Sequence, residues 1–353
     1  MNGHSKGRVG MLYFSEMNYR GNHAGTKARN DAERILREYG AKPVNTRVLE
    51  LREQHNGIQS NIANRLGFLR YYLDLLAVKD QIVIIQYPML AFDIQYEYVS
   101  RLAKRNRVVF LVHDIQSMRR NDAQGLEREI RMLNLAHGLI VHNRFMEEKL
   151  ISIGVQVKHF YRLNCFDYLY AGELVAHHGQ MDVAFAGNLE KSTFLRQMSS
   201  ENDTTTFCLY GPGWNPELAR NTRMTYMGSF SPDEIPGKLQ GKYGLVWDGE
   251  TTAGCTGVMG EYTRINNPHK MSLYLAAGIP VIVWKEAAIT EFVEKNGVGI
   301  AAEQIDDLQK TLGNISQEQY QAMQQNVSRV RKKLIDGGFL RAVLGEIEKG
   351  ASQ

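Results

Sequence analysis

Short apolar runs alternate with stretches of helical periodicity along most of this chain. Val9–Phe14, Gln81–Gln86, Val108–Val112 and Leu139–His142 read as buried strands. Helical patterns stand between and after them, at Gly25–Tyr39, Ile62–Val78, Asp93–Lys104, Asp122–Ala136 and Arg144–Ile153. Tyr161 to Gln180 has no clean period, carries Tyr168, Tyr170, His177, His178 and Gly179, and reads as a passage between domains. A second series follows, with strands Val183–Ala186, Phe207–Tyr210, Thr225–Gly228, Gly244–Trp247 and Ile279–Trp284. Its helices fall near Ser192–Ser199, Asp233–Gln240, Pro268–Ala277 and Ala288–Asn296. Short buried strands alternating with helices imply parallel sheets covered on both faces, so the pattern predicts two doubly wound, Rossmann-like α/β domains, at 1–165 and 180–335. The closing helices Gln317–Leu334 and Phe339–Lys349 are long enough for the last stretch, 336–353, to return to the first domain.

The 353 residues, 43% of them hydrophobic, suffice for two cores. No run of about 18 apolar residues is present and Met1 to Arg8 is polar, so the expected location is cytoplasmic. Cys165, Cys208 and Cys255 are scattered and lack C-x-x-C spacing, which argues against a disulfide framework or a structural zinc site. The net charge of +4 is spread out, and the basic clusters at Lys104-Arg105, Arg119-Arg120 and Arg329 to Lys333 have no interleaved aromatic platform, so nucleic acid is not an expected partner. Ile62 to Lys79, with Arg65, Phe68, Arg70, Tyr71 and Tyr72, suits a membrane surface best, although packing on a core is the commoner use of such a helix. Peripheral contact with the inner face of the cytoplasmic membrane and homo-oligomerisation both stay open.

The chemistry concentrates in residues 264–284, where a polar turn ending in Asn267-Pro268 opens a helix that Gly278 closes. Asn267 suits a cap and Pro268 the first helical position. Free N–H groups and the macrodipole at a helix start attract an anion. Cationic His269 and Lys270 in that first turn are unfavourable until a negative ligand arrives. A charge-assisted bond from Lys270 contributes about 1.5–3 kcal/mol against about 0.3–1 kcal/mol from the dipole, so the lysine dominates. A surface lysine on a well-capped helix is the plain alternative.

Open α/β sheets bind ligands beyond the carboxyl ends of their strands, so the other candidates lie in the loops there. Gly187 allows close backbone approach, Asn188 offers an amide and Lys191 a second cation. Tyr210-Gly211-Pro212-Gly213 could wrap a base or ribose, and Asp248 and Glu250 could hold sugar hydroxyls. In the first domain His113-Asp114 follows one strand, and Asn18 to Arg29, with Gly21 and Gly25, follows another. Each loop alone is as readily a turn or a cap. Gly211-Pro212-Gly213-Trp214 lacks the third glycine and downstream acid of a dinucleotide fingerprint, which excludes a nicotinamide site. Asp248-x-Glu250 mimics a metal-binding carboxylate pair but comes too late in the chain for the single-domain transferases that use one.

Phe185-Ala-Gly-Asn-Leu, Gly244-Leu-Val-Trp-Asp-Gly-Glu, Asn266-Asn-Pro-His-Lys-Met-Ser-Leu-Tyr-Leu and Val281-Ile-Val-Trp resemble the bacterial β-1,6-galactofuranosyltransferase family of polysaccharide and O-antigen assembly. Ala24-Gly-Thr-Lys-Ala-Arg-Asn-Asp-Ala, Val112-His-Asp-Ile and Val141-His-Asn extend the resemblance over nearly the whole chain. Leu275-Ala-Ala-Gly-Ile-Pro-Val-Ile-Val and the His-Asp pair are more distantly similar to the glucosyltransferases that elongate sugars on serine-rich adhesins. The resemblance implies a GT-B architecture with two domains facing a central cleft, no cofactor, no metal, and UDP-galactofuranose as donor. It implies that Lys270 and Lys191 take the pyrophosphate together with the helix start from Asn267 to Ser272, and that Asp248 and Glu250 contact the donor sugar. Transfer would proceed with inversion to a glycoside or lipid-linked oligosaccharide. His113 and Asp114 are the candidate bases, with Asp31, His23 and Glu16 as rivals. His23, Gly25, Lys27, Arg29 and Asp31 would meet the acceptor, or Lys27 and Arg29 would touch donor phosphate across the closed cleft. A UDP-glucose or UDP-galactopyranose hexosyltransferase is the alternative enzyme, and a non-catalytic sugar-nucleotide-binding subunit the alternative of another class.

Overall fold

The computed structural model describes residues 10–15, 24–44, 77–89, 96–173, 181–199, 204–218 and 222–352. Two sheets dominate it, and every strand pairing in both is parallel. The first contains β1 (Met11–Tyr13), β2 (Lys42–Pro43), β3 (Ile82–Tyr87), β4 (Arg107–Val112), β5 (Gly138–Val141) and β6 (His159–Arg162), in the spatial order 2-1-3-4-5-6. The second contains β7 (Met181–Ala186), β8 (Phe207–Tyr210), β9 (Met224–Gly228), β10 (Gly241–Val246), β11 (Val281–Trp284) and β12 (Gly299–Ala302), in the order 12-11-10-7-8-9. Central strands are continuous apolar runs because helices cover both faces: Val83, Ile85, Val108 and Phe110 serve one core, and Val183, Phe185, Leu245 and Ile282 the other.

The expected strands and the longer helices stand within a few residues of their sequence positions, and helix Gln317–Leu334 has the expected bounds. The stretches expected as helices at Ser192–Ser199 and Asp233–Gln240 are only 3-10 turns, Thr193–Arg196 and Ile235–Gly237. β2, β6 and β12 and the helices Gln116–Arg120 and Gly257–Tyr262 lack a signal in the sequence, being too short to show a period. The expected helix Ile62–Val78 lies, but for Ala77 and Val78, outside the described residues, as do Glu16, Gly21, His23, His177 and His178. Among the described residues, no helix is long and apolar enough to cross a membrane.

The passage after β6 is a seam, not a solvent-exposed linker. Leu163, Cys165, Phe166, Asp167, Tyr168 and Leu169 are all buried, and Phe166 touches both halves, packing on His113 and His142 of the first and accepting from Ser272 of the second. Asn164 N–H follows on from the first sheet by donating to His142 O (2.8 Å). The Asp167 carboxylate accepts from Phe339 and Leu340 N–H (3.0 and 2.7 Å), at the start of helix Gly338–Ser352. That last helix does return to the first domain: Tyr39 donates to Glu348 (3.0 Å), and Arg341 donates to Glu38 (2.7 Å).

Candidate functional site

Two turns beyond strand ends in the second domain lock together. Gly187 N–H donates to Tyr210 O (3.0 Å), Leu189 N–H to Pro212 O (2.9 Å) and Gly211 N–H to Gly228 O (2.9 Å). Gly211 has φ +127°, and a Cβ there would run into Gly187 O, so this glycine shapes the turn against its neighbour. Asn188 closes its own turn by accepting from Lys191 N–H (3.0 Å), which leaves its amide NH2 outward beside the exposed Lys191. Gly187 serves a different purpose. A Cβ there would lie 3.0 Å from Cε of Lys270, whose ammonium reaches the Asp248 carboxylate and sits 5.3 Å above the Phe185 ring. Gly187→Ala therefore displaces Lys270 without removing any charge. We expect inorganic pyrophosphate to bind it roughly tenfold more weakly by titration calorimetry with the fold's circular dichroism unchanged.

Lys270 and Asp248 are only partly covered, at 18% and 27% side-chain exposure, so an incoming anion has access to the ammonium. The backbone carbonyl of Glu250 accepts from Thr193 Oγ1 (3.2 Å) and Gln197 Nε2 (2.9 Å), drawing the 248–257 loop against the turn at 187–197. The Glu250 side chain is exposed and lies over Gly257. Gly187, Asn188, Lys191, Asp248, Glu250 and Lys270 thus line one end of the second sheet, as the sequence suggested. Tyr210 does not join them: its ring is fully buried and its hydroxyl donates to Lys238 O (3.0 Å) while accepting from Gln240 N–H (3.1 Å), so it cannot flank a nucleoside.

The helix at the expected phosphate position runs His269–Ala276, and its cap is Pro268, not Asn267. Asn267 bridges the domains instead. Its N–H donates to His142 Nδ1 (2.9 Å), its Nδ2 to His142 O (2.9 Å) and Asn164 O (3.0 Å), and its Oδ1 accepts from Asn143 Nδ2 (2.7 Å). Asn143 also donates to Ile265 O (3.0 Å) and caps the helix Arg144–Ser152. With this network every polar atom of the Asn267 side chain is used, and none is left for a ligand. Asn267→Ala removes three side-chain hydrogen bonds across the seam and is expected to cost about 2–4 kcal/mol, read as a melting temperature roughly 5–10 °C lower. Ser272 is likewise occupied, buried and donating to Phe166 O (2.7 Å). His269 does stand at the first turn, stacked 5.1 Å from the Tyr168 ring, but burial lowers its pKa to about 4, so it is neutral and no second cation. Neither of its ring nitrogens, nor Oδ1 of Asn266, has a hydrogen-bond partner among the described residues.

Across the seam, β4 ends at Val112 and delivers His113. Its Nε2 lies 2.7 Å from Gln86 Oε1, and its ring stacks on Phe166 at 5.6 Å between centroids. Burial first, then the positive field of Arg29, holds its pKa well below 6.5, and the neighbouring imidazoles of His142 and His269 would oppose any second proton in the cluster. Asp114 turns away, paired with Arg119 at 2.6 Å, and burial raises its pKa. Lys27 is engaged three times, by Asp31 Oδ1, Leu169 O and Asp233 Oδ1, each at 2.8 Å. That makes Lys27 a latch between domains and unavailable to donor phosphate or acceptor. Asp31 shares the latch, accepting from Leu169 N–H (2.8 Å), with burial raising its pKa to about 6 against the pull of Lys27. Arg29 is buried and donates to Pro88 O (2.6 Å). Gly25 lies inside helix Ala24–Tyr39, and His23 falls outside the described residues.

The structure therefore brings His113, Phe166, His142 and His269 together at the junction, and Lys270 to the adjoining turn. Sequence reasoning missed Gln86, Phe166 and Tyr168 as site residues, and His142-Asn143 as a bridge. Gln86 is the one polar residue in an otherwise apolar strand, which was its only signal. Among the described residues no three His, Cys, Asp or Glu side chains cluster as metal ligands would.

Residues 183–347 match the glucosyltransferase 3-like C-terminal domain, and residues 11–165 match the N-terminal domain of the same description. The chain is 31% identical over 347 residues to β-1,6-galactofuranosyltransferase WbbI of Escherichia coli (strain K12), covering 96% of this chain and 98% of that protein. It is 26% identical to glucosyltransferase 3 of Streptococcus gordonii, over 90% and 92% of the two chains. Its backbone resembles that of HepE from Anabaena, solved in complex with UDP-glucose, with a TM-score of 0.57 over 97% and 100% of the two chains at 14% identity, a likeness of fold.

Proposed function

The chain belongs to the glucosyltransferase 3-like family of glycosyltransferases and is 31% identical to the Escherichia coli β-1,6-galactofuranosyltransferase, and we propose that it transfers galactofuranose from UDP-galactofuranose to a glycoside or lipid-linked oligosaccharide during bacterial surface polysaccharide assembly. The observation that carries the reading is the position of Lys270, threaded past Gly187 to the open end of the second sheet, with a helix start behind it and neutral His113 in the facing domain.

The acceptor hydroxyl attacks the anomeric carbon as the bond to the UDP oxygen breaks, and its proton passes to His113. A neutral imidazole is the form that can take it. Charge developing on the departing diphosphate is met by the ammonium of Lys270, by Lys191 and by the N–H groups of His269 and Lys270, which serve where other transferases use a metal ion. One displacement inverts the anomeric centre.

The test is incubation with UDP-galactofuranose, UDP-glucose and UDP-galactose in turn, each with a panel of alkyl glycosides and EDTA present. Transfer from the furanose donor alone, insensitive to EDTA, is expected. Preference for UDP-glucose would move the chain beside its Streptococcus gordonii relative, and UDP binding with no transfer or donor hydrolysis would make it a sugar-nucleotide-binding subunit.

A further inference from the structure

We propose that Gln86 fixes the tautomer of His113, so that Nε2 keeps its hydrogen and Nδ1 presents the lone pair that receives the acceptor's proton; the Nδ1 role rests on the function proposed above, and the tautomer stands without it. Gln86 is 2% exposed on β3, one strand away from His113. Its Nε2 lies 3.3 Å from the carbonyl of Arg29, and its Oε1 lies 2.7 Å from His113 Nε2. The Arg29 carbonyl can only accept, so the amide's NH2 must face it, and the flipped amide would set two oxygens against each other. The amide oxygen is therefore the end that faces His113. An amide oxygen can only accept as well, so Nε2 of His113 must donate.

Nδ1 has no hydrogen-bond partner among the described residues, and it is absent from the polar atoms sealed from solvent without a partner. The groups that face the ring reinforce a neutral base. Arg29 lies on helix Ala24–Tyr39, His142 at the end of β5, His269 on helix His269–Ala276, and Phe166 stacks from the seam. His142 is itself neutral with a fixed tautomer, donating from Nε2 to Val112 O (3.1 Å) and accepting at Nδ1 from Asn267. The carboxylate of Asp114 is turned to Arg119, and Glu16 and His23 lie outside the described residues. When Nδ1 takes the proton, the Nε2–H bond to Gln86 strengthens, and because its partner is a neutral amide the resting imidazole is not pulled into the charged form. In many hydrolases a carboxylate orients the histidine; here an amide does so without raising its basicity.

Gln86 is thus a positioning residue, and its signature is spectroscopic before it is kinetic. Nitrogen-15 spectra of His-labelled protein at pH 7.5, with His113 assigned by the signal lost in His113→Asn, should show a neutral ring protonated at Nε2. Gln86→Leu should shift that signal toward a mixture of tautomers and lower kcat at least tenfold while KM for the donor stays within about twofold, a part of the 10²–10⁴-fold that a placed base supplies. Gln86→Glu should raise the pKa of His113 by roughly 1–3 units and carry the acid limb of the rate profile up with it. A wild-type ring protonated at Nδ1, or a Gln86→Leu protein with unaltered tautomer, overturns the proposal. If Gln86→Leu does not fold, the wild-type spectrum and Gln86→Glu still decide. An Nε2–H tautomer combined with full activity of His113→Asn would leave Gln86 in place and remove the base assignment instead.

Discussion

Lys270→Ala is expected to lower turnover about 10²–10³-fold and to weaken UDP binding at least tenfold, the scale of one lost donor to a developing oxyanion. The loss exceeds that of one charge. In the resting protein Lys270 pairs with Asp248, and truncation leaves that carboxylate facing the diphosphate alone. Adding Asp248→Asn should then recover roughly tenfold of the binding, since a repulsion disappears with no attraction restored. Asp248→Asn by itself frees the ammonium and should bind UDP at least as well as the parent, with any fall in transfer reporting contact between Asp248 and the donor sugar. Isothermal titration of UDP across this four-protein cycle, with turnover beside it, checks each sign. A Lys270→Ala protein that binds UDP normally would refute the site.

His113→Asn is expected to act on the other side of the reaction, reducing kcat about 10²–10⁴-fold while UDP affinity stays within a factor of two. The pH dependence follows from direction alone. The folded-state pKa of His113 is held well below 6.5, so the base form persists on acidification and is lost only as pH falls through that lowered value. The kcat profile of the parent should be flat through neutrality, with its acid limb well below pH 6.5. In His113→Asn the residual rate should show no such limb. An acid limb near 6 in both proteins would direct attention to Asp31, whose pKa is about 6.

The sequence makes the architecture easy to read because buried parallel strands such as Ile82–Tyr87 and Val281–Trp284 are continuous apolar runs, and the helices between them have regular spacing. The loops at the end of the second sheet were legible for the same reason, since Gly187, Lys191 and Asp248 come soon after strands, while Lys270 was marked by the helix that opens after Asn267-Pro268. What stayed hidden depends on distance in the chain. Asn267 looks like a helix cap because caps are local, yet its partners are His142, Asn143 and Asn164, more than 100 residues away. Tyr210 looks like a ligand platform because it ends a strand, yet alternation of side chains points it into the core. Lys27 looks like a phosphate ligand because it is cationic and near a glycine; its carboxylate partner Asp31 is one helical turn away, but the carbonyl of Leu169 and Asp233 that complete its shell could not be foreseen.

The seam has a consequence for anyone wishing to graft one donor specificity onto another acceptor half. The stretch from Leu163 to Leu169, buried but for Asn164, belongs to neither half alone, and Arg331 ties its continuation to the second half by reaching Gly172 O (3.0 Å) and Ala276 O (2.6 Å). A chimaera cut at the middle of the chain would separate His142-Asn143 from the Asn267 they evolved beside, and Asp167 from the helix it receives. The exchangeable module is therefore the rear sheet plus this strip, and the strip must be transplanted with matched counterparts on both sides.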